Sequence, residues 1–186
     1  MIGMGGGTKY SIAKSQGDSS AANRTFTHAV LLTAGFAAFF VLVGLFFTDN
    51  ILTWFGASGQ VFTMSNTYLR VLMFYAPAFL LNNVLLCFVR NDGAPQLSMT
   101  AMIIGSLSNV VLDWVFIFPC GMGMFGAAFA TGLSPILGLL ILSSHFFTKR
   151  NGFTLVPHRP EAKRCLDVLS LSLIHISEPT RLQLIS

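Results

Sequence analysis

Hydrophobic residues dominate four long stretches of this chain, and short segments richer in polar residues separate them. Each stretch approaches the roughly 20 apolar residues that an α-helix needs to cross a lipid bilayer. The pattern therefore predicts four transmembrane helices and an all-α, polytopic membrane bundle. We place these helices at about residues 29–47, 69–89, 97–118 and 125–147.

Two prolines interrupt the predicted spans. Pro77 lies in the second span and Pro135 in the fourth. Proline removes a backbone donor and permits a kink, so both positions are predicted hinges or kinks. Membrane helices tolerate proline, and a static kink and a moving gate therefore both remain open.

The two ends of the chain differ from this pattern. Residues 1–7 are apolar and rich in glycine but too short to span a membrane, and we interpret them as the end of a helix. Residues 172–186 begin as an apolar run that breaks at Glu178 and Pro179. We interpret them as a non-native read-through tail, with a short native amphipathic tail as the alternative.

Composition supports the membrane class. The chain is 53% hydrophobic and only 10% charged, with a mean hydropathy of +0.69, whereas soluble domains carry about 25% charged residues. The lipid bilayer is thus the expected partner. The net charge of +4 does not indicate nucleic acid, because the basic residues lie in short clusters between apolar spans. Cys87, Cys120 and Cys165 are far apart and lack metal-ligand spacing, so we read them as small apolar fillers.

The basic residues predict the orientation of the spans. They concentrate in alternate connecting segments, and the opposite side carries only Arg70. Because Lys and Arg accumulate on the cytoplasmic side, residues 8–28, 90–96 and 149–170 are predicted cytoplasmic loops of a protein in the cell inner (cytoplasmic) membrane. The residues that carry this argument are Lys9, Lys14, Arg24, Arg90, Lys149, Arg150, Arg159, Lys163 and Arg164.

Asp113 is the only charged residue between Leu97 and Thr148. A carboxylate near the middle of a membrane costs roughly 2.5–3.5 kcal/mol on insertion scales, so it usually has a function. Asn109 precedes it by four residues and shares its helix face. Thr131 follows the next turn and is expected at a similar depth. These oxygens predict a site for a monovalent cation, Na⁺ or H⁺, and no other metal; a hydrogen-bonded cluster that only packs helices is the alternative.

The other sequence motifs do not indicate a catalytic or cofactor-binding site. Residues 90–95, Arg-Asn-Asp-Gly-Ala-Pro, have the composition of a tight turn between two helices. The nucleophile-elbow, zinc-protease and phosphate-loop motifs are missing from the sequence. We therefore predict neither an enzyme nor a cofactor.

Four local patterns together resemble the multidrug and toxic compound extrusion (MATE) family. The resemblance covers residues 1–171 and corresponds to the end of helix 2, helices 3 to 6 and the start of helix 7 of that family. It implies a partial amino-terminal lobe with four complete transmembrane helices. The patterns are GMGGGTKYSIAKSQGD, YLRVLMFYAPAFLLNNVLLCFVRNDGAPQLSM, IIGSLSNVVLDWVFIF and GMGMFGAAFATGLS.

The resemblance also implies a function. Such transporters have twelve helices in two lobes and export organic, often cationic, drug-like compounds by antiport with Na⁺ or H⁺. Their amino-terminal cation site matches Asn109, Asp113 and Thr131 here. A further Asp on helix 1 contributes in the family, so helix 1 and helices 7–12 are the expected partners of this segment. A lipid-linked oligosaccharide flippase of the same superfamily and a structural membrane subunit without an ion site are the alternatives.

Overall fold

The computed structural model describes residues 2–147 and Gly152, and every regular element among them is an α-helix. This confirms the all-α class. The predicted loop at 149–170, apart from Gly152, and the predicted tail at 172–186 lie outside the described residues. The helices are α1 (Ile2–Ser15), α2 (Ser19–Phe46), α3 (Thr48–Trp54), α4 (Gly59–Phe74), α5 (Ala76–Asn91), α6 (Pro95–Ile117) and α7 (Gly123–Phe147).

Helices α2, α6 and α7 are each long and apolar enough to cross a membrane. Helices α4 and α5 form the remaining predicted span, which is broken by a bend of 49°. Pro77 lies in the first turn of α5, directly after this break, where a missing backbone donor costs little. The bend thus lies directly before Pro77, and the broken span begins at Gly59, ten residues before the predicted start at 69.

The prediction of a long loop over residues 8–28 is wrong. Helix α1 continues to Ser15 and α2 begins at Ser19, so only three residues connect them. Gly17 adopts a φ of 76°, which is suited to ending a helix. The Asp18 carboxylate accepts the backbone N–H of Ala21 at 2.9 Å and caps α2. Most polar residues of this segment thus belong to the two helices rather than to a loop.

A cluster of aromatic rings joins α1, α2 and α5. The Phe88 ring centroid lies 5.5 Å from that of Tyr10 and 5.0 Å from that of Phe26, and all three side chains are buried. Glycines in α1 permit this approach: a Cβ added at Gly6 would lie 3.1 Å from the Phe88 ring, and one added at Gly7 would lie 2.5 Å from the Asn91 side chain. The glycine run near the start of the chain is therefore a packing surface.

Helices α6 and α7 form an antiparallel hairpin, and α7 also packs against the bend between α4 and α5. The turns at 16–18 and 92–94 and the end of α7 lie together at one end of the bundle, the Asp92 end. The turn after Phe118 lies at the other, the Phe118 end. At Gly132 of α7 an added Cβ would lie only 2.3 Å from the Tyr75 ring. This contact holds α7 against the broken span.

We expect Gly132→Ala to lower the Tm of the protein in detergent, because the methyl group would force the Tyr75 ring away at a cost of about 1–3 kcal/mol. Gly35→Ala is the matched control, since Gly35 is also helical but has open space around it. Its Tm should stay the same or rise slightly, because alanine favours a helix over glycine. Equal Tm changes in the two variants would contradict the proposed contact.

Candidate cation site and polar cleft

Asn109 of α6 and Thr131 of α7 face each other across the hairpin. The Asn109 side-chain amide lies 3.5 Å from the Thr131 hydroxyl oxygen, and both residues are partly buried. The Thr131 hydroxyl donates to the Ala127 carbonyl at 2.9 Å. Two of the three site residues predicted from the sequence are therefore in contact.

Asp113 lies one helical turn beyond this pair, about 6 Å further along α6 at 1.5 Å per residue. Its Oδ1 atom is buried and has no hydrogen-bond partner among the described residues. The antiparallel register that pairs Asn109 with Thr131 puts Asp113 near the level of Ala127, so Asp113 and Thr131 differ in depth by about one turn. A buried oxygen without a donor is unfavourable unless a cation or proton satisfies it.

Pro135 contributes to the same region through the backbone. Because proline has no N–H, Pro135 cannot donate the helical hydrogen bond to the Thr131 carbonyl four residues earlier. Thr131 therefore presents both a hydroxyl and a carbonyl oxygen that lacks its usual helical donor. From the sequence this proline indicated only a hinge or kink, whereas its place one turn after Thr131 also leaves a main-chain oxygen of α7 without its helical donor.

An open cleft of about 550 Å³ lies between α5, α6 and α7, beside the Asn109–Thr131 pair. None of its lining residues is charged, and Asp113 is not among them. The cleft thus combines neutral polar groups with apolar surface. Its polar lining consists of Asn82, Asn83, Ser106, Asn109, Thr131 and Ser134, and its larger apolar residues are Phe79, Leu86, Met102 and Val110.

Asn82 is a site residue that the sequence analysis missed. Its Oδ1 atom is buried and, like that of Asp113, has no hydrogen-bond partner within the described part of the chain. A Cβ added at Gly138 of α7 would lie 2.7 Å from this oxygen, so α7 approaches Asn82 closely because residue 138 is glycine. The available signal was the Asn82–Asn83 pair inside an otherwise apolar run.

The donor set of this region suits a small, hard, monovalent cation. One carboxylate, one amide, a hydroxyl and a main-chain carbonyl lie on the facing helices α6 and α7, whereas Ca²⁺ usually takes several carboxylates. Within residues 2–147 and Gly152, no three His, Cys, Asp or Glu side chains come together in a group that could hold a metal ion. The unsatisfied Asp113 oxygen fits Na⁺ or a proton.

Comparison with known proteins places this geometry in a family. Residues 1–115 match the sequence profile of the MatE family. The chain is 29% identical over 157 residues to the multidrug export protein MepA of Staphylococcus saprophyticus, covering 83% of this chain and 34% of MepA. It is 30% identical over 146 residues to MepA of Staphylococcus aureus, covering 78% and 32%.

A solved structure agrees with these sequence matches. The inward-facing conformation of a multidrug resistance MATE family transporter of the MOP superfamily superposes with a TM-score of 0.86 and 28% identity, covering 92% of this chain and 40% of that one. The fold and these comparisons thus define a multi-pass membrane protein of the transporter class. The chain belongs to the MatE family, whose members are transporters and not enzymes. It spans about a third of the length of the curated relatives it matches.

We expect Pro135→Ala to raise the Tm in detergent relative to Pro77→Ala. Only the Pro135 substitution restores a backbone donor to an interior helical carbonyl, and the resulting hydrogen bond contributes about 1 kcal/mol. Both substitutions make the unfolded chain more flexible, so this effect cancels in the comparison. Differential scanning fluorimetry in the same detergent provides the measurement. If both variants shift Tm alike, the Thr131 carbonyl already has a partner in the native protein.

Proposed function

We propose that this chain forms part of the amino-terminal lobe of a cation-coupled multidrug antiporter, and that Asp113, Asn109 and Thr131 bind the coupling ion, Na⁺ or H⁺. The observation that carries the proposal is the buried Asp113 Oδ1 without a donor, one turn from the Asn109–Thr131 contact. A residue that only packs helices would be expected to use this oxygen in a hydrogen bond.

The cleft beside the ion site suits the binding of organic, drug-like compounds. Its neutral amide and hydroxyl groups can accept hydrogen bonds from a cationic substrate, and the Phe79 ring offers apolar and cation–π contact. The two MepA relatives are named multidrug export proteins, which supports the same substrate class. We therefore assign the cleft to export of organic, often cationic, compounds.

The binding of the ion is coupled to release of the drug because the ion and a cationic substrate, both positively charged, bind close together. Asn109 and Thr131 line the cleft and also form part of the ion site, so a bound ion and a cationic substrate compete for the same oxygens. Ion binding then favours the conformation that releases the substrate, because a ligand shifts an equilibrium by its differential affinity for the two states. Pro135 in α7 and the break before Pro77 are the positions where the bundle can bend.

The orientation proposed from the basic residues puts the Asp92 end in the cytoplasm. Lys14, Arg24 and Arg90 lie at or near this end, whereas Arg70 lies in α4 and pairs with the exposed Asp49 at 3.0 Å. An excess of Lys and Arg marks the cytoplasmic side of membrane proteins. We thus propose a location in the cell inner membrane, with helix 1 and helices 7–12 of the transporter supplying the rest of the cavity.

A flippase for lipid-linked oligosaccharides is the alternative within the superfamily. Its anionic substrate calls for basic groups in the cavity, whereas the lining of this cleft contains no charged residue. The neutral lining therefore favours drug export.

The decisive experiment replaces Asp113 by asparagine, which keeps the shape but cannot ionise, in a full-length transporter carrying this segment. We expect drug efflux from everted vesicles to lose its dependence on Na⁺ or on pH, and drug resistance of the host cells to fall. Varying Na⁺ at constant pH, and pH without Na⁺, identifies the coupling ion.

Asp49→Asn is the matched control, because Asp49 is also a carboxylate but is exposed near the Phe118 end, where it pairs with Arg70. Its efflux should keep the native ion dependence. An Asp113→Asn transporter with native ion dependence would refute the role of Asp113. Absence of any ion-dependent efflux in the native protein would favour a structural subunit.

A further inference from the structure

The Asp92 carboxylate, in the turn between α5 and α6, collects donors from three other parts of the chain. Oδ1 accepts the Lys14 ammonium at 2.6 Å and also the Tyr10 hydroxyl. Oδ2 accepts the backbone N–H of Gly152 at 2.7 Å and lies 2.9 Å from Nε2 of His145. We call these five residues the Asp92 clasp.

The composition of residues 90–95 predicted only a tight turn, and a turn by itself needs no such partners. Tyr10 and Lys14 precede Asp92 by 82 and 78 residues, and His145 and Gly152 follow it by 53 and 60 residues. Lys14 also donates to the Asp92 main-chain carbonyl at 2.9 Å. The clasp is therefore a tertiary connection between α1, the α5–α6 turn, α7 and the chain beyond α7.

The charge state of Asp92 suits this role. Its side chain is fully buried, and burial alone would raise its pKa, but hydrogen bonds from Lys14, Tyr10, Gly152 and His145 hold the pKa below its ordinary value. The carboxylate is thus ionised at neutral pH. Its contribution to stability is lost only as the pH falls through this lowered pKa. Hydrogen bonds to an ionised group are also roughly twice as strong as neutral ones.

Gly152 is packed directly against the carboxylate. A Cβ added there would lie 2.5 Å from Asp92 Oδ1 and 3.1 Å from the Tyr10 hydroxyl oxygen. Only glycine can bring its backbone N–H to this position without displacing the other donors. The contact is therefore specific to residue 152.

The Asp92 clasp also contacts the aromatic cluster of Tyr10, Phe26 and Phe88. Tyr10 belongs to both, because its ring packs on Phe88 while its hydroxyl donates to Asp92. The Lys14 ammonium lies 5.8 Å from the centre of the same ring. Loss of one member should consequently loosen the others, since they share one carboxylate and one supporting ring.

We propose that the Asp92 clasp is a cooperative anchor that fastens the chain beyond α7 to the α5–α6 turn and holds the ends of α1, α5 and α7 together as one unit. It is separate from the cation site, because Asp92 lies in the turn before α6, whereas Asp113 lies about 27 Å along that helix from its first residue, Pro95, at 1.5 Å per residue. The anchoring itself does not depend on the proposed transport function.

Hydrogen–deuterium exchange at the Gly152 amide tests the proposal directly, in a full-length transporter carrying this segment in detergent. The amide should be protected in the native protein. Asp92→Ala removes its acceptor and should speed its exchange by about ten-fold or more. Lys14→Met leaves Gly152 and its acceptor in place but removes the charged partner of the carboxylate, and it should speed the same exchange several-fold if the clasp acts as a unit.

Asp18→Asn is the matched control, since Asp18 is a carboxylate at the same end that caps α2 and is not part of the clasp. Its Gly152 exchange should equal the native rate. Native exchange of core amides around Phe88 establishes that each variant is folded, and if Asp92→Ala fails this criterion, Lys14→Met decides. An unprotected Gly152 amide in the native protein, or native exchange in the folded variants, would overturn the proposal. Because no transport is measured, failure of the clasp and failure of the cation site remain distinguishable.

Discussion

The need for buried polar groups to form hydrogen bonds, in a chain with few charged residues, governs this structure. Two aspartates differ in how far their carboxylates are hydrogen-bonded. Asp92 is saturated by donors to both carboxylate oxygens, and it connects distant parts of the chain. Asp113 has a buried oxygen without a donor in the described structure. A buried oxygen without a hydrogen bond is costly. The first arrangement is therefore that of a structural connection, and the second is the one that we propose binds an ion.

Close helix packing makes both arrangements possible. Glycines in α1 bring the Tyr10 ring against Phe88, which positions the Tyr10 hydroxyl at Asp92. Gly132 and Gly138 in α7 bring that helix against Tyr75 and Asn82. In a membrane, where lipid is as apolar as the protein interior, such close contact is a main source of helix association. The small residues thus position the polar groups as well as the helices.

The prolines differ in what they do, although both lie in apolar runs. Pro77 lies in a first helical turn, after a break that separates two helices by 49°. Pro135 lies inside a continuous helix and removes the donor for the Thr131 carbonyl. One therefore marks a bend and the other also creates a potential ligand. The difference depends on where each helix begins, which local sequence specifies poorly.

The lengths of the apolar runs by themselves determined the helical class and the approximate positions of the spans, because a span needs a fixed length of apolar residues. The short turn after Phe118 likewise indicated that α6 and α7 are antiparallel neighbours. The i, i+4 spacing of Asn109 and Asp113 likewise follows from helix geometry. Only the tertiary structure decided that Thr131 faces Asn109 rather than Asp113, that Asn82 lines the cleft, and that Asp92 joins α1 to Gly152. These contacts depend on the rotation and depth of one helix against another, which are set by packing across the whole bundle.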